Sequence, residues 1–221
     1  MERRLDQDLD RIRQLLLRMG GSVEEMVARS TQAVAERNAV LARDVIRKDR
    51  EIDTLELEID DACHSVLSRR QPIAGDLRFL VAVMKINSDL ERIGDSAVNI
   101  AQSVEQLLAL PPLDARIDLP HLSRLAQAMV RDGLDSFVRR DAQLARAVCA
   151  RDDEVDSLYK QTFRELLDGM TADPRTVGPA LHLLLIARNI ERIGDHATNI
   201  CEDVIYYVEG QDVRHPLAKM G

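Results

Sequence analysis

The feature that most constrains this chain of 221 residues is an internal duplication. Residues 89–100 read DLERIGDSAVNI and residues 189–200 read NIERIGDHATNI, an offset of 100 residues. A second pair of similar segments, 38–53 and 141–156, is offset by 103 residues, so one short difference in length separates the matched blocks. Repeats of roughly 100 residues are typical of duplicated domains, because solenoid units are shorter. We therefore expect two related halves.

The composition favours helices over strands. Aromatic residues make up only 3% of the chain, and a β-sandwich normally relies on aromatic and β-branched side chains. A proline-rich stretch, LPPLDARIDLP, lies between the two repeats. The predicted fold is all-α, with two tandem, sequence-related three-helix bundles. The predicted domains are residues 1–110 and 121–221, joined by a linker at 111–120.

Three helices are predicted in each half. Asn38 and Asp141 occupy equivalent positions and are both preferred N-cap residues. Apolar residues three and four apart form a seam from Val83 to Leu107, and a matching seam begins at Leu183. Burial in a core explains these seams. The predicted helices span residues 2–36, 39–70, 76–108, 118–139, 142–170 and 177–209.

Repeated acidic residues lie off these seams, and core packing does not require them. They form four pairs with a spacing of four residues, which places both carboxylates of a pair on one exposed helix face. Two antiparallel helices that each present such a pair would bring four carboxylates together, and hard or borderline cations accept oxygen-rich sites. The pairs are Asp49/Asp53, Glu91/Asp95, Asp152/Asp156 and Glu191/Asp195.

The alternative is ordinary surface charge, because arginines such as Arg92 and Arg188 can form ion pairs with these carboxylates along the helix. Gly94 and Gly194 are repeated as well, and a tight contact between helices is the simpler explanation for them. His196 has a serine at the equivalent position, which favours a solvated histidine over an accessory metal ligand.

Several classes of protein are excluded. A net charge of −8 without a basic stripe argues against binding nucleic acid. The longest uncharged stretch near the apolar peak is about 12 residues, too short to span a bilayer. The first residues have no apolar core of a secretory signal, and three widely spaced cysteines form no disulfide framework, so we expect a reducing cytoplasm. No catalytic constellation appears, so an enzyme is not expected.

The segments QPIAGDLRFLVAVMKINSDLERIGDSAVNIA and RNIERIGDHATNICEDVIYYVEG resemble those of the PhoU family of phosphate-uptake regulators. The resemblance implies two similar three-helix bundles in a cytoplasmic protein that is commonly a homodimer. It also implies a negative regulator of phosphate uptake and of the phosphate-starvation response. The implied partners are the ATPase subunit of the phosphate ABC transporter and the phosphate sensor histidine kinase.

The resemblance further implies metal binding by the family motif Glu/Asp-x-x-x-Asp. All four carboxylate pairs match this motif, so the expected ligands are Asp49, Asp53, Glu91, Asp95, Asp152, Asp156, Glu191 and Asp195. The expected cofactors are divalent or trivalent ions, with iron, zinc, manganese and magnesium as candidates. A helical scaffold without functional metal sites is the alternative, and a carboxylate-bridged metallohydrolase is a distant third.

Overall fold

A computed structural model describes residues 4–113 and 117–214, and all of its regular elements are helical. No strand occurs in these two ranges, which confirms the all-α prediction. The first bundle contains α1 (Arg4–Glu36), α2 (Ala39–Arg69) and α3 (Ala74–Leu108). The second contains α4 (Leu119–Arg139), α5 (Ala142–Cys149), α6 (Asp152–Ala172), a short 3₁₀ helix (Pro174–Thr176) and α7 (Val177–Glu209).

The two bundles begin their second helices in the same way. The Asn38 side chain accepts hydrogen bonds from the backbone N–H groups at the start of α2, and Asp141 does the same for α5. Both N-cap predictions are therefore confirmed. Each cap follows an arginine with a left-handed backbone, Arg37 with φ 50° and Arg140 with φ 51°. The duplication thus extends to the turn that ends the preceding helix.

One predicted helix is wrong, because the helix expected over 142–170 is broken at Ala150 and Arg151 into α5 and α6. The Arg151 N–H bonds to the carbonyl of Val148 at i−3 instead of continuing the α-helical pattern. The Arg151 guanidinium donates to Asp132 of α4 at 2.6 Å. Three acidic residues, Asp152, Asp153 and Glu154, fill the first turn of α6, where negative charge favours a new helix N-terminus.

The predicted seam of α3 is buried along its whole length. In α7 the seam is buried from Ile186 to Val204, and its two end residues, Leu183 and Tyr207, are half-buried. One hydrophobic core runs through both bundles, and α3 and α7 form the largest contact between them. Burial of each large apolar side chain stabilises the fold by about 1.5–3 kcal/mol.

Polar contacts set the direction of α3 against α7. Lys85 of α3 lies 2.8 Å from Asp203 of α7, while Asp89, one turn further along α3, contacts His196 and Asn199. Because residue numbers rise along one helix as they fall along the other, the two helices are antiparallel. Asp203 is only 5% exposed, so Lys85 supplies the charge partner that a buried carboxylate requires.

The proline-rich stretch connects α3 to α4, and its residues 114–116 lie outside the described residues. The linker at 111–120 and the domain bounds 1–110 and 121–221 therefore stay predictions, as does the start of the first helix at residue 2. Among the helices described, none combines the length and apolar character needed to cross a bilayer.

Replacing Lys85 by methionine should lower the free energy of unfolding by about 2–3 kcal/mol, because it leaves the Asp203 carboxylate buried without its cation. The matched control is Arg43→Met, which breaks the more exposed Arg43–Glu105 ion pair and should cost less than about 1 kcal/mol. Urea denaturation at pH 7, followed by circular dichroism, measures both. Equal losses in the two variants would contradict this account.

Candidate metal centre

Close packing of α6 on α7 depends on a glycine. A Cβ at Gly194 would lie 3.2 Å from Cγ1 of Val155, so only glycine lets α6 approach this closely without adjustment. In the first bundle a Cβ at Gly94 would lie 3.5 Å from Ile52 of α2, an ordinary packing distance. Tight contact between helices thus explains Gly194 as expected, and it places the carboxylates of α6 beside those of α7.

Three carboxylates come together at this contact. Asp156 of α6 and Glu191 and Asp195 of α7 each offer an oxygen, and these three oxygens all lie within 4.8 Å of one another. Across residues 4–113 and 117–214, this is the one set of three or more acidic, histidine or cysteine side chains that meets this distance. Mutual repulsion makes such a cluster unfavourable unless protons, cations or basic side chains compensate.

Glu191 is the most unusual member of the cluster. It was expected on an exposed face, yet the residue is only 6% exposed, because α6 covers it. Its Oε1 accepts from Arg188, whereas Oε2 is buried without a hydrogen-bond partner. Burial first, and the nearby Asp195 second, raise the pKa of Glu191 from its ordinary 4.5 to about 7, although Arg188 opposes the shift. The prediction of an exposed carboxylate is wrong here.

Asp152 lies at the margin of the cluster. Its Oδ1 accepts a hydrogen bond of 3.3 Å from the Thr198 hydroxyl, and its pKa is raised by burial and then by Asp195. Asp195 itself has a raised pKa, with burial as the main cause. Asp156 accepts a bond of 2.8 Å from Lys160 on the next turn of α6. The second half therefore brings together three of its four predicted ligands and places the fourth beside them.

The carboxylates of the first half are more open. Burial, followed by Asp53 and Asp95, raises the pKa of Asp49, which shows that α2 and α3 present their acids to one another. The side chains of Glu91 and Asp95 are 19% and 46% exposed, against 8% for Glu191. Arg92 lies 3.3 Å from Glu91 and 3.5 Å from Asp95, so part of this charge is already compensated.

Sequence reasoning missed one acid in the first half. Glu56 of α2 contributes to the raised pKa of Glu91, and its own pKa is raised by burial and then by Asp60. The signal was present, because Glu56 follows Asp49 by seven residues and therefore lies on the same helix face. The equivalent position in the second half is Tyr159, so no repeated residue drew attention to it.

His196 is neither solvated nor turned toward the carboxylate cluster. Its Nδ1 lies 2.8 Å from Oδ1 of Asp89 on α3, and its side chain is 18% exposed. Asn199 donates to the same Asp89 oxygen at 3.1 Å. His196 therefore joins the two halves, and the expectation of a solvated histidine is wrong. The contact lies across a helix interface that the sequence alone does not specify.

The stability of the metal-free protein should fall as the pH rises from 5 to 8. Between pH 4.5 and 7 the folded state binds more protons at Glu191 than the unfolded state does, so stability decreases with pH through this range. The difference in the free energy of unfolding between pH 5 and pH 8 should be about 1–3 kcal/mol smaller in Glu191→Gln than in the wild type. Urea denaturation at pH 5 and at pH 8, in the presence of a chelator, measures this difference in the free energy of unfolding.

Asp152 and Asp195 also have raised pKa values, so a smaller dependence on pH should remain in the variant. Asp168→Asn, which replaces an exposed carboxylate of α6, serves as the control and should match the wild type. An unchanged pH dependence in Glu191→Gln would show that this carboxyl titrates normally.

Comparison with known proteins places this architecture in a family. The sequence pattern of the PhoU domain matches residues 16–104 and again residues 119–204. A protein of Pseudomonas putida named phosphate-specific transport system accessory protein PhoU homolog is 43% identical over 209 residues, covering 94% of this chain and 82% of the relative. A homolog of the same name from Aquifex aeolicus is 40% identical and covers 96% of both chains.

Solved structures agree with the sequence comparison. The crystal structure of PhoU from Pseudomonas aeruginosa matches with a TM-score of 0.91 at 40% identity, covering 94% of this chain and all of that one. The phosphate transport system regulatory protein PhoU from Streptococcus pneumoniae matches with a TM-score of 0.87 at 29% identity, covering 96% of this chain and all of that one. The doubled domain, the helical architecture and these identities together show that the chain belongs to the PhoU family.

Proposed function

We propose that this protein is a cytoplasmic negative regulator of phosphate uptake and of the phosphate-starvation response, and that it acts by protein contact without catalysis. The observation that carries the proposal is the shared description of its relatives as accessory proteins of the phosphate-specific transport system. An accessory protein of a transport system exerts its effect through the components of that system. The carboxylate cluster offers oxygens suited to holding a cation, which supports a role in binding.

The proposed partners are the ATPase subunit of the phosphate ABC transporter and the phosphate sensor histidine kinase, with the protein itself a homodimer. Its net charge of −8 favours partner surfaces that are basic, since complementary charge accelerates and orients association. Such contacts weaken as salt screens the charges.

We further propose one metal site in each half. Asp152, Asp156, Glu191 and Asp195 would hold the ion in the second half. The unpartnered, buried oxygen of Glu191 supports this site, because a cation would satisfy it and relieve the repulsion among the carboxylates. Glu191 would release a proton as the ion binds, so affinity should rise with pH.

The first half offers Asp49, Asp53, Glu91 and Asp95 at the equivalent sequence positions, with Glu56 as an additional acid. Donor sets made only of carboxylates suit magnesium, manganese or iron better than zinc, which prefers nitrogen and sulfur ligands. Because the side chains of the first site are more exposed, we expect it to bind more weakly than the second.

Metal content should depend on the carboxylate cluster. After dialysis against buffer without chelator, elemental analysis of the wild type should find bound metal. The triple variant Asp156→Asn, Glu191→Gln, Asp195→Asn should lose the share held by the second half, and its circular dichroism should stay helical. Equal metal content in both proteins would remove the proposed site.

The control variant for this experiment replaces three other acids of α6, Asp153→Asn, Glu154→Gln and Asp168→Asn, which are exposed and outside the cluster. It should keep the metal content of the wild type. Absence of metal from the wild type and from every variant, even after incubation with magnesium, manganese or iron, would favour the alternative of a helical scaffold whose carboxylates are only solvated charge.

Deleting the gene should leave phosphate-starvation genes active in phosphate-rich medium, because a contact repressor would be missing. A plasmid copy of the wild type should restore silencing. Glu191→Lys should restore it less well, since it reverses charge at the cluster, whereas Asp168→Lys should act as the wild type. Expression of a reporter for a phosphate-starvation gene is measured in the deletion strain and in the three strains that carry a plasmid copy. Normal silencing in the deletion strain, with no second copy of the gene, would refute the regulatory assignment.

A further inference from the structure

A cleft of about 290 Å³ lies where the two halves meet, away from both carboxylate sites. Helices α1, α3 and α7 and the turn between α4 and α5 line it. Three arginines face this cleft: Arg13 of α1, Arg78 of α3 and Arg140 of the turn. Asp76 of α3 is the one carboxylate among the lining residues described. The protein is acidic overall, whereas the side chains that line this cleft carry more positive than negative charge.

Aromatic rings hold two of the guanidinium groups in place. Arg13 lies over the ring of Phe79 at 5.1 Å, and Arg140 lies over the ring of Tyr207 at 5.5 Å. The two rings are themselves in contact, with centroids 5.6 Å apart. A guanidinium stacked on a ring keeps the N–H groups at its edge available, so these contacts position donors without using them all. Arg13 also donates to Asp10, outside the cleft.

Two polar atoms at the cleft are buried without partners. They are Nε of Arg78, a donor, and Oδ2 of Asp76, an acceptor. Leaving a buried polar group unpaired costs about 1–3 kcal/mol, so a ligand that bonds to both atoms would recover this energy. A group that both accepts and donates hydrogen bonds would satisfy the two atoms together.

The start of α3 adds positive potential at the same place. Gly75 and Asp76 belong to its first turn, and the N-cap residue Ile73 offers no side-chain hydrogen bond. The equivalent position in the second half is Asp173, which accepts a bond of 3.0 Å from the backbone N–H of Arg175. Asp173 thus caps the short 3₁₀ helix Pro174–Thr176, whereas neither α3 nor α7 has a side-chain cap at its own N-terminus. Uncapped N–H groups favour an anion, and a Cβ at Gly75 would meet nothing within 4 Å.

We propose that this cleft binds a protonated, phosphate-type oxyanion. Its oxygens would accept hydrogen bonds from Arg78 and Arg140, and its P–OH group would donate to Oδ2 of Asp76. The fit is chemical as well as electrostatic, because Asp76 accepts from an anion that carries a proton and repels one that does not. Sulfate, which has no proton at neutral pH, should therefore bind more weakly than phosphate.

The inference rests on the proposed function only for the choice of phosphate as the first probe, because the arginine cleft stands on its own geometry. The phosphoryl group could be free orthophosphate or part of a small phosphate monoester; the arginines accept both, but at neutral pH orthophosphate keeps a P–OH proton for Asp76 that most of the monoester has lost. Titrations with orthophosphate and with glycerol phosphate separate these two sources, since the ester replaces one oxygen by a bulkier group.

The test is isothermal titration calorimetry of the full chain after treatment with a chelator, so that no bound metal can hold the phosphate. Saturable binding is expected for the wild type. Arg78→Gln and Arg140→Gln should each weaken it about tenfold or more, because each removes a charged hydrogen bond of about 1.5–3 kcal/mol. The matched control is Arg139→Gln, an exposed arginine paired with Asp135 outside the cleft, which should bind like the wild type.

Sulfate should bind at least about tenfold more weakly than phosphate, and Asp76→Asn should narrow this difference, because its amide no longer repels an unprotonated anion. Thermal unfolding identifies any variant that fails to fold. Arg78 lies on α3 and Arg140 in the turn between α4 and α5, so one of them carries the test if the other variant does not fold. Binding of the ester alone would support the cleft and assign an esterified source.

The proposal is overturned if neither orthophosphate nor glycerol phosphate gives saturable heat up to about 10 mM, a range that detects even weak specific binding. Equal binding by the wild type and a folded Arg78→Gln or Arg140→Gln variant would overturn it as well. Calorimetry uses the purified protein and is independent of the test in cells. If phosphate does not bind while deletion of the gene still activates the phosphate-starvation genes, the cleft alone is rejected. Phosphate binding by the purified protein, together with normal silencing in the deletion strain, rejects the proposed function alone.

Discussion

The antiparallel packing of α3 against α7 is the contact on which the rest of the structure depends. Helix α3 also packs against α1 and α2, so three helices cover it and about half of its residues are buried. A helix in this position must be apolar or must find a partner for each polar side chain. Lys85 with Asp203 and Asp89 with His196 are such pairs, and the amide of Asn87 donates to the Glu56 carbonyl and to Asp60. The first two contacts join α3 to α7 and so fix the relative placement of the halves.

Duplication produced two halves with similar backbones and different chemistry. The first half has Glu56 where the second has Tyr159, Ser96 where the second has His196, and Ile73 where the second has Asp173. The first carboxylate group is consequently larger and more open, while the second is smaller and built around the buried Glu191. For the same reason, Ile73 offers no side-chain cap before α3, whereas Asp173 caps the 3₁₀ helix that precedes α7.

The carboxylate cluster lies directly between α6 and α7, and this position has a physical consequence. Repulsion among Asp156, Glu191 and Asp195 opposes the packing that brings them together, so a proton or a cation bound there stabilises the contact. Binding of an ion at the proposed site would therefore be linked to the packing of α6. For a protein proposed to act through its surface, this is a way in which ion binding would alter what a partner meets without any chemical reaction.

The sequence by itself determined the duplication, the helical fold, the two N-caps and the buried seams, because each of these depends on residues near one another in the chain. It also located the four carboxylate pairs, since a spacing of four residues fixes their common face. Tertiary structure decided the break at Ala150 and Arg151, the burial of Glu191, the partner of His196 and the meeting of three arginines in one cleft. These features depend on how helices distant in sequence pack, and desolvation is a property of all the surrounding atoms, which no local spacing encodes.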